Sequence, residues 1–257
     1  MKEQTIVIIG LGQLGRVFAG GFLRIGCPVV PVNRGDDTGE IAVRVPNPAL
    51  VLLAVAEADL HPAITALPVA WRSRVGLIQN ELLPRDWEAH HITDPTVASV
   101  WFEKKKGTDA KPLIPTPVHG PQAQLVCAAL SSIEIPARSV ESADELLYEL
   151  VRKNVYILTT NIAGIQTGGN VGELWAKHRM LATEVANEVM DIQDWLTGRK
   201  HNRDKLLNGM LEAFEADPQH GCKGRSAPDR LKRNLGFADQ AGLAVPKLRE
   251  IACAVFC

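Results

Sequence analysis

Hydrophobic positions along the chain follow two regimes. In the first half, short apolar runs alternate with turn residues: Thr5–Ile9, Pro28–Val32, Ala49–Val55, Val75–Gln79, Thr96–Phe102 and Leu113–Thr116. Such runs, without polar alternation, predict strands buried on both faces of a mostly parallel sheet, and Arg16 to Leu23 continues from the first as an apolar helix. Between Asn33 and Ala49 there is little room for a crossover helix, so the sheet is expected to be abbreviated there. The segment from Pro112 to Pro121 holds four prolines and reads as an edge strand or extended loop.

From about Ser139 the pattern changes to long helical stripes. Ser142-Ala143-Asp144-Glu145 is a capping-box signal, with Ser142 placed to accept from the Glu145 amide. Leu146, Leu147, Leu150, Tyr156 and Leu158 then pack through about Ile162, and Gly164 followed by Gly168-Gly169 ends the pattern. A second helix is expected from about Gly172 to Thr197, stopped by Gly198. A third covers about Arg203 to Ala216, and a fourth begins with Ser226 as N-cap and Pro228 in the first turn and closes at Gly242. Pro246 starts a last helix. The reading is an α/β protein: a doubly wound parallel sheet of the Rossmann type over 1–138, then a second, all-helical domain over 139–257.

Of the 257 residues, 46% are hydrophobic and 22% charged, enough apolar content for a sizeable core. The formal net charge is −1, which gives no electrostatic case for nucleic acid or an anionic membrane surface. Lys104-Lys105-Lys106 reads as a solvated strand end or turn. No apolar run approaches the roughly 20 residues of a membrane span, and the N-terminus shows no secretory pattern. Five cysteines, Cys27, Cys127, Cys222, Cys253 and Cys257, form no Cys-x-x-Cys pair, which favours reduced thiols and a cytoplasmic location.

The chemistry begins at Gly10-Leu11-Gly12-Gln13-Leu14-Gly15, set directly between the first strand and the first helix. Gly10 allows the tight turn, Gly12 lets backbone N–H groups approach a pyrophosphate, and Gly15 lets the helix pack closely on the strand. That context makes the segment a dinucleotide-binding turn. After the second strand come Asn33 and Arg34, where an arginine suits the 2′-phosphate of NADP and an acid would suit NAD; Asp36 and Asp37 keep NAD open. Asn80 follows the fourth run, either as a turn residue or as a ligand to nicotinamide ribose or substrate oxygen. In the first helix of the second domain Glu149, Lys153, Ile157 and Asn161 recur every four residues and share a face. Two readings fit: an exposed Glu149–Lys153 ion pair, or Lys153 in a cleft between domains as proton donor to a carbonyl, with Asn161 orienting the substrate. His220, Lys223 and Arg225 either line a solvated interhelical loop or meet a carboxylate or phosphate, Arg225 best because its planar fork suits bidentate recognition. His220 and Cys222 lack partners at metal-site spacing, and no metal is expected.

Taken together, the glycine turn, Asn33-Arg34, Gln79-Asn80, Glu149-Leu150-Val151-Arg152-Lys153 with Asn161, Gly172-Glu173-Leu174 and Gly242-Leu243-Ala244-Val245-Pro246 resemble the ketopantoate reductase (2-dehydropantoate 2-reductase) family over nearly the whole chain. The resemblance implies an NADPH-dependent reduction of a 2-oxo acid, with Lys153 as the catalytic lysine, Asn161 as the second of two substrate asparagines, Asn170 near the family's Asn-Gly-Glu-Leu position, and a possible homodimer. The chain departs from the pattern at Ile157, which replaces the first asparagine, and at Glu57, which stands where the family has lysine. The family's Thr-Glu pair falls at Arg225-Ser226. These departures point to a substrate other than ketopantoate. They also motivate an alternative, a non-catalytic NADP(H)-binding sensor or interaction protein; a third reading is another two-domain reductase, acting on imines or prephenate-like acids.

Overall fold

The computed structural model describes residues 4–256, so Cys257 lies outside the described residues. The chain divides into two compact units, 1–150 and 151–257.

In the first unit, β1 (Ile6–Ile9), α1 (Gln13–Arg24), β2 (Val29–Val32), α2 (Thr38–Arg44), β3 (Leu50–Leu53), α3 (Leu60–Thr65), β4 (Val75–Leu77), α4 (Pro84–Glu88) and β5 (Thr96–Ala98) follow in order. A small antiparallel hairpin, β6 (Phe102–Glu103) with β7 (Lys111–Pro112), precedes β8 (Thr116–His119), α5 (Ala123–Ser131) and β9 (Ala137–Ser139). The main sheet has the order β2-β1-β3-β4-β5-β8-β9. It is parallel from β2 through β5; β8 reverses direction against β5, and β9 runs parallel to β8. The strand order turns around at β1, because β2 lies on one side of it and β3 on the other. In open α/β sheets such a switch point is where ligands sit, beyond the carboxyl ends of the strands.

Leu50, Val51, Leu52 and Leu53 are all buried, as a strand covered on both faces requires. On one face Ile6, Ile8, Leu50 and Leu52 join Phe18 and Phe22 of α1 and Val126, Ala129 and Leu130 of α5 in a single core. The two helices approach closely at Gly21, where a Cβ would lie 2.5 Å from the Ala129 carbonyl oxygen. At the sheet edge, Pro28 and Val32 carbonyls accept from Ile6 and Gly10 amides. By strand alternation Pro31 therefore faces outward, where its missing N–H removes no ladder bond.

Three expectations in this unit are corrected. The segment between Asn33 and Ala49 does hold a helix, α2, because Asp37 caps it by accepting from the Gly39 and Glu40 amides at 2.7 and 3.2 Å. The run Thr96–Phe102 does not stay in the main sheet. Beyond Ala98 the Ser99 amide still donates to the Pro117 carbonyl, but the Trp101 amide turns to the Thr116 hydroxyl, and Phe102 pairs in the hairpin, whose turn carries Lys106-Gly107. The strand expected over Leu113–Thr116 lies later, at β8.

The second unit is helical. The long α6 (Ala143–Thr167), within which the division falls, is followed by α7 (Val171–Lys177), α8 (Arg179–Thr197), α9 (Arg203–Ala216), α10 (Ala227–Ala241) and α11 (Pro246–Phe256). Ser142 Oγ accepts from the Glu145 amide at 3.1 Å, while the Glu145 carboxylate reaches back to the Glu141 amide. Gly164 does not end α6. A Cβ there would lie 2.7 Å from Cys222 Cβ, so this glycine admits a neighbouring segment, and the helix stops at Gly168, whose φ is +63°. The helix expected over 172–197 is two helices, broken at His178 (φ −129°, ψ 33°), where the sequence carries neither Gly nor Pro. Ser226 precedes α10 as expected but makes no side-chain capping bond. Among the described residues no helix is long and apolar enough to cross a membrane.

Candidate functional site

The glycine turn lies at the carboxyl end of β1, at the switch point. Gly10 has φ +95°, and a Cβ on it would lie 2.9 Å from the Ala54 carbonyl oxygen just beyond β3. Gly15 is closer still: a Cβ there would lie 2.1 Å from the Gly10 carbonyl oxygen. Gly12, in contrast, is exposed and would place a Cβ in open space, with nothing within 4 Å. Two of the glycines are thus required by the protein's own packing, and the third leaves backbone accessible from outside. Gly12 caps α1, whose first turn holds no acidic residue, so the N–H groups of Gln13, Leu14 and Gly15 begin a helix with its positive end uncompensated. Leu11 is held from behind, where its carbonyl accepts from Arg16 Nε at 3.0 Å. This cradle fits a dinucleotide pyrophosphate.

Beyond β2, Asn33 and Arg34 are exposed. The Asn33 amide donates to Asp36 at 2.7 Å, and Arg34 lies 3.9 Å from Asp59 with its side chain 97% exposed. Asp36 and Asp37 are therefore occupied with the local turn and the α2 cap. Glu57 opens a short turn after β3. Gln79 is buried and ties the carboxyl ends of β3 and β4 together: its Nε2 donates to the Leu53 carbonyl at 2.7 Å and to the Val55 carbonyl at 3.3 Å. Asn80 is half-buried in the turn that follows.

In the second unit Lys153 is 7% exposed, and Glu149, at the end of the first, is 3% exposed. Neither side chain is therefore at the surface. The Glu149 carboxylate takes the guanidinium of Arg138 on β9 at 2.5 Å. Lys153 and Asn161 lie eight residues apart on α6, about 12 Å along its axis, with Ile157 half-buried between them. Asn170 serves as a cap. Its Oδ1 accepts from the Glu173 amide at 2.8 Å and its Nδ2 donates to Gln219 at 3.2 Å. The loop 217–222 is laced to 169–172 by backbone bonds, including Val171 to the His220 carbonyl and Cys222 to the Gly169 carbonyl. Lys223 and Arg225 are both exposed.

A buried arginine that the sequence reading passed over is Arg230. It is 7% exposed, and its Nη1 donates to Asn161 Oδ1 at 2.9 Å. The signal lay in α10, where Ala227, Arg230, Leu231, Asn234 and Ala238 form the buried stripe, so a guanidinium and a carboxamide occupy positions that packing alone would fill with apolar groups. Cys222 is fully buried, and burial, with Glu173 adding, pushes its thiol up to about 11, which leaves it inert as a nucleophile. Among the described residues no cluster of three or more His, Cys, Asp or Glu side chains can hold a metal ion.

No family model and no curated protein matches the chain. Solved structures do. A ketopantoate reductase from Ralstonia eutropha JMP134 superposes with a TM-score of 0.70 at 16% identity, covering 98% of this chain and 97% of that one. A 2-dehydropantoate 2-reductase from Methylococcus capsulatus gives 0.70 at 12% identity, covering 97% and 95%. D-mandelate dehydrogenase in complex with NADH gives 0.69 at 14% identity, covering 98% and 97%. From its first strand to its last helix, the chain has the fold of the ketopantoate reductases and of D-mandelate dehydrogenase.

Proposed function

We propose that the protein is an NADPH-dependent reductase of 2-oxo acids, acting on a substrate other than ketopantoate. The observation that carries this reading is the glycine turn, in which Gly10 and Gly15 are closed by packing while Gly12 stays open at the switch point of the sheet. The nicotinamide, when bound, supplies the hydride to the carbonyl carbon. The chain's own groups do the rest. Backbone N–H groups of the turn and the start of α1 hold the pyrophosphate, and Arg34 takes the 2′-phosphate by a charge-assisted hydrogen bond. The local use of Asp36 and Asp37 supports NADP over NAD, since each acid already spends one carboxylate oxygen on nearby backbone amides. Lys153, as its ammonium, gives a proton to the carbonyl oxygen as negative charge develops there, and Asn161 donates a hydrogen bond to a substrate oxygen. Relatives in fold that are reductases or dehydrogenases of such acids support the same class. The half-buried Ile157, apolar where the family has asparagine, supports a substrate with an apolar group at that point.

The test is oxidation of NADPH, followed by loss of its fluorescence, across a panel of 2-oxo acids with linear, branched and aromatic side chains. Steady oxidation with at least one member is expected. In Lys153→Ala, turnover of that substrate should fall by about 10²- to 10⁴-fold with NADPH binding nearly intact. Wild-type turnover in that variant rejects the role of Lys153, and NADPH binding with no oxidation by any member replaces the enzyme with a cofactor-binding sensor.

A further inference from the structure

We infer that Arg230 is a positioning residue that fixes the carboxamide of Asn161 as a hydrogen-bond donor to the substrate, an inference that rests on the proposed reduction of a 2-oxo acid. Asn161 is 7% exposed, so the direction of its amide cannot be left to water. A guanidinium carries donors and no acceptor. The 2.9 Å contact from Arg230 Nη1 is therefore satisfied only by the oxygen of Asn161, and the opposite rotamer would set N–H against N–H. With the oxygen held, the two Nδ2–H bonds must point the other way. One reaches the Thr160 hydroxyl at a long 3.4 Å, and the second has no acceptor among the described residues. A buried N–H in that condition calls for a ligand oxygen, since leaving it unmet costs about 1–3 kcal/mol. The ligand class that answers it is an acceptor-rich one, a carbonyl or carboxylate oxygen of a 2-oxo acid.

Two further features keep the pair in register. Arg230 is itself anchored in α10, whose Asn234 Nδ2 donates back to the Arg230 carbonyl at 2.9 Å. Gly224 lies over the contact, where a Cβ would be 2.9 Å from Asn161 Oδ1 and 3.9 Å from Arg230 Nη1. A side chain at 224 would push the carboxamide off the guanidinium without touching its charge. Arg230 and Gly224 therefore act on the same group by different means, one holding it and one making room for it.

The experiment combines kinetics with a direct view of the amide. In Arg230→Ala, KM for the accepted 2-oxo acid should rise by about tenfold while kcat stays within about twofold and NADPH affinity is unchanged. Arg230→Lys, which keeps a donor, should recover much of the loss, and Gly224→Ala should reproduce it with the arginine present. The double variant Asn161→Ala/Arg230→Ala should be no worse than Asn161→Ala alone, because the two act as one unit. Multiplying losses would overturn the inference. Independently of turnover, the side-chain amide protons of Asn161, identified by their loss in Asn161→Ala, should exchange faster with water in Arg230→Ala and remain slow in Arg230→Lys. Unchanged exchange in Arg230→Ala overturns the positioning role even where no substrate has been found. If instead NADPH is not oxidised by any 2-oxo acid but the amide responds as expected, the functional reading falls and the Arg230–Asn161 coupling stands. Should Arg230→Ala fail to fold, Arg230→Lys and Gly224→Ala carry the same comparison.

Discussion

Cys222 and Cys253 carry the same thiol in opposite surroundings. Cys222 is fully buried against Gly164, and its thiol is pushed up to about 11 first by burial and then by the nearby Glu173 carboxylate. Cys253 is exposed on α11. Because the thiolate is the reactive form, Cys253 should alkylate readily with iodoacetamide at mildly alkaline pH, and Cys222 only after unfolding. Peptide mass mapping of the native protein checks this, and early labelling of Cys222 would show that the α6 contact opens. The same contact marks where single residues could and could not be read in advance. Gly10 declares itself, because it sits in a turn whose backbone demands it. Gly164 does not, since its reason is a segment nearly 60 residues away, and a glycine in a helical stripe looks like a stop. Arg230 was hidden in the same way: the exposed Arg225 offered a more familiar pattern, while the buried guanidinium sat in a helix rich in charged residues, where an arginine reads as solvent-facing.

The unit formed by β1, its turn and α1 separates two kinds of glycine at the scale of an element. Gly15→Ala would put a methyl 2.1 Å from the Gly10 carbonyl oxygen, so backbone must move and the fold is expected to lose about 1–3 kcal/mol or more. That is a drop of about 2–4 °C in Tm for each kcal/mol. Gly12→Ala meets no atom of the protein, and its Tm should match that of the wild type while NADPH affinity falls as the new methyl meets the pyrophosphate. Calorimetry and a cofactor titration on the two variants distinguish these outcomes, and equal loss of stability in both would contradict the packing described here. Elements of this kind were legible because a strand, a glycine turn and a helix leave a joint pattern of period and composition. Helix α2 was not, being only seven residues long and marked by a single cap at Asp37. The break at His178 left no mark of either kind.

At the scale of the molecule, protonation links folding to pH through histidines the fold desolvates. His201 is held below its ordinary value chiefly by burial, with Arg199 acting in the same direction and Asp194 against it. His90 is lowered as well, first by burial and then by the adjacent His61. A base with a depressed folded-state pKa binds fewer protons than the unfolded chain does below about 6.5. Stability from these groups is present above that pH and lost as pH falls toward their folded values. Thermal melts from pH 7.5 to 5.5, on the order of the histidine range, should show Tm falling, with a shallower slope in His201→Gln. A flat profile would remove histidine desolvation as a factor. The two-regime architecture itself was readable from the spacing of apolar residues, whereas the reversed β8 was not, because strand direction is set by pairing partners rather than by local pattern.

Pro31 has a consequence for how many molecules meet. β2 closes one side of the sheet, and a free strand there would offer its outer amide and carbonyl groups to any passing extended chain. A ring nitrogen at the third place of that four-residue strand removes one of its outward donors, which disfavours continuation of the sheet by a neighbouring strand along that side.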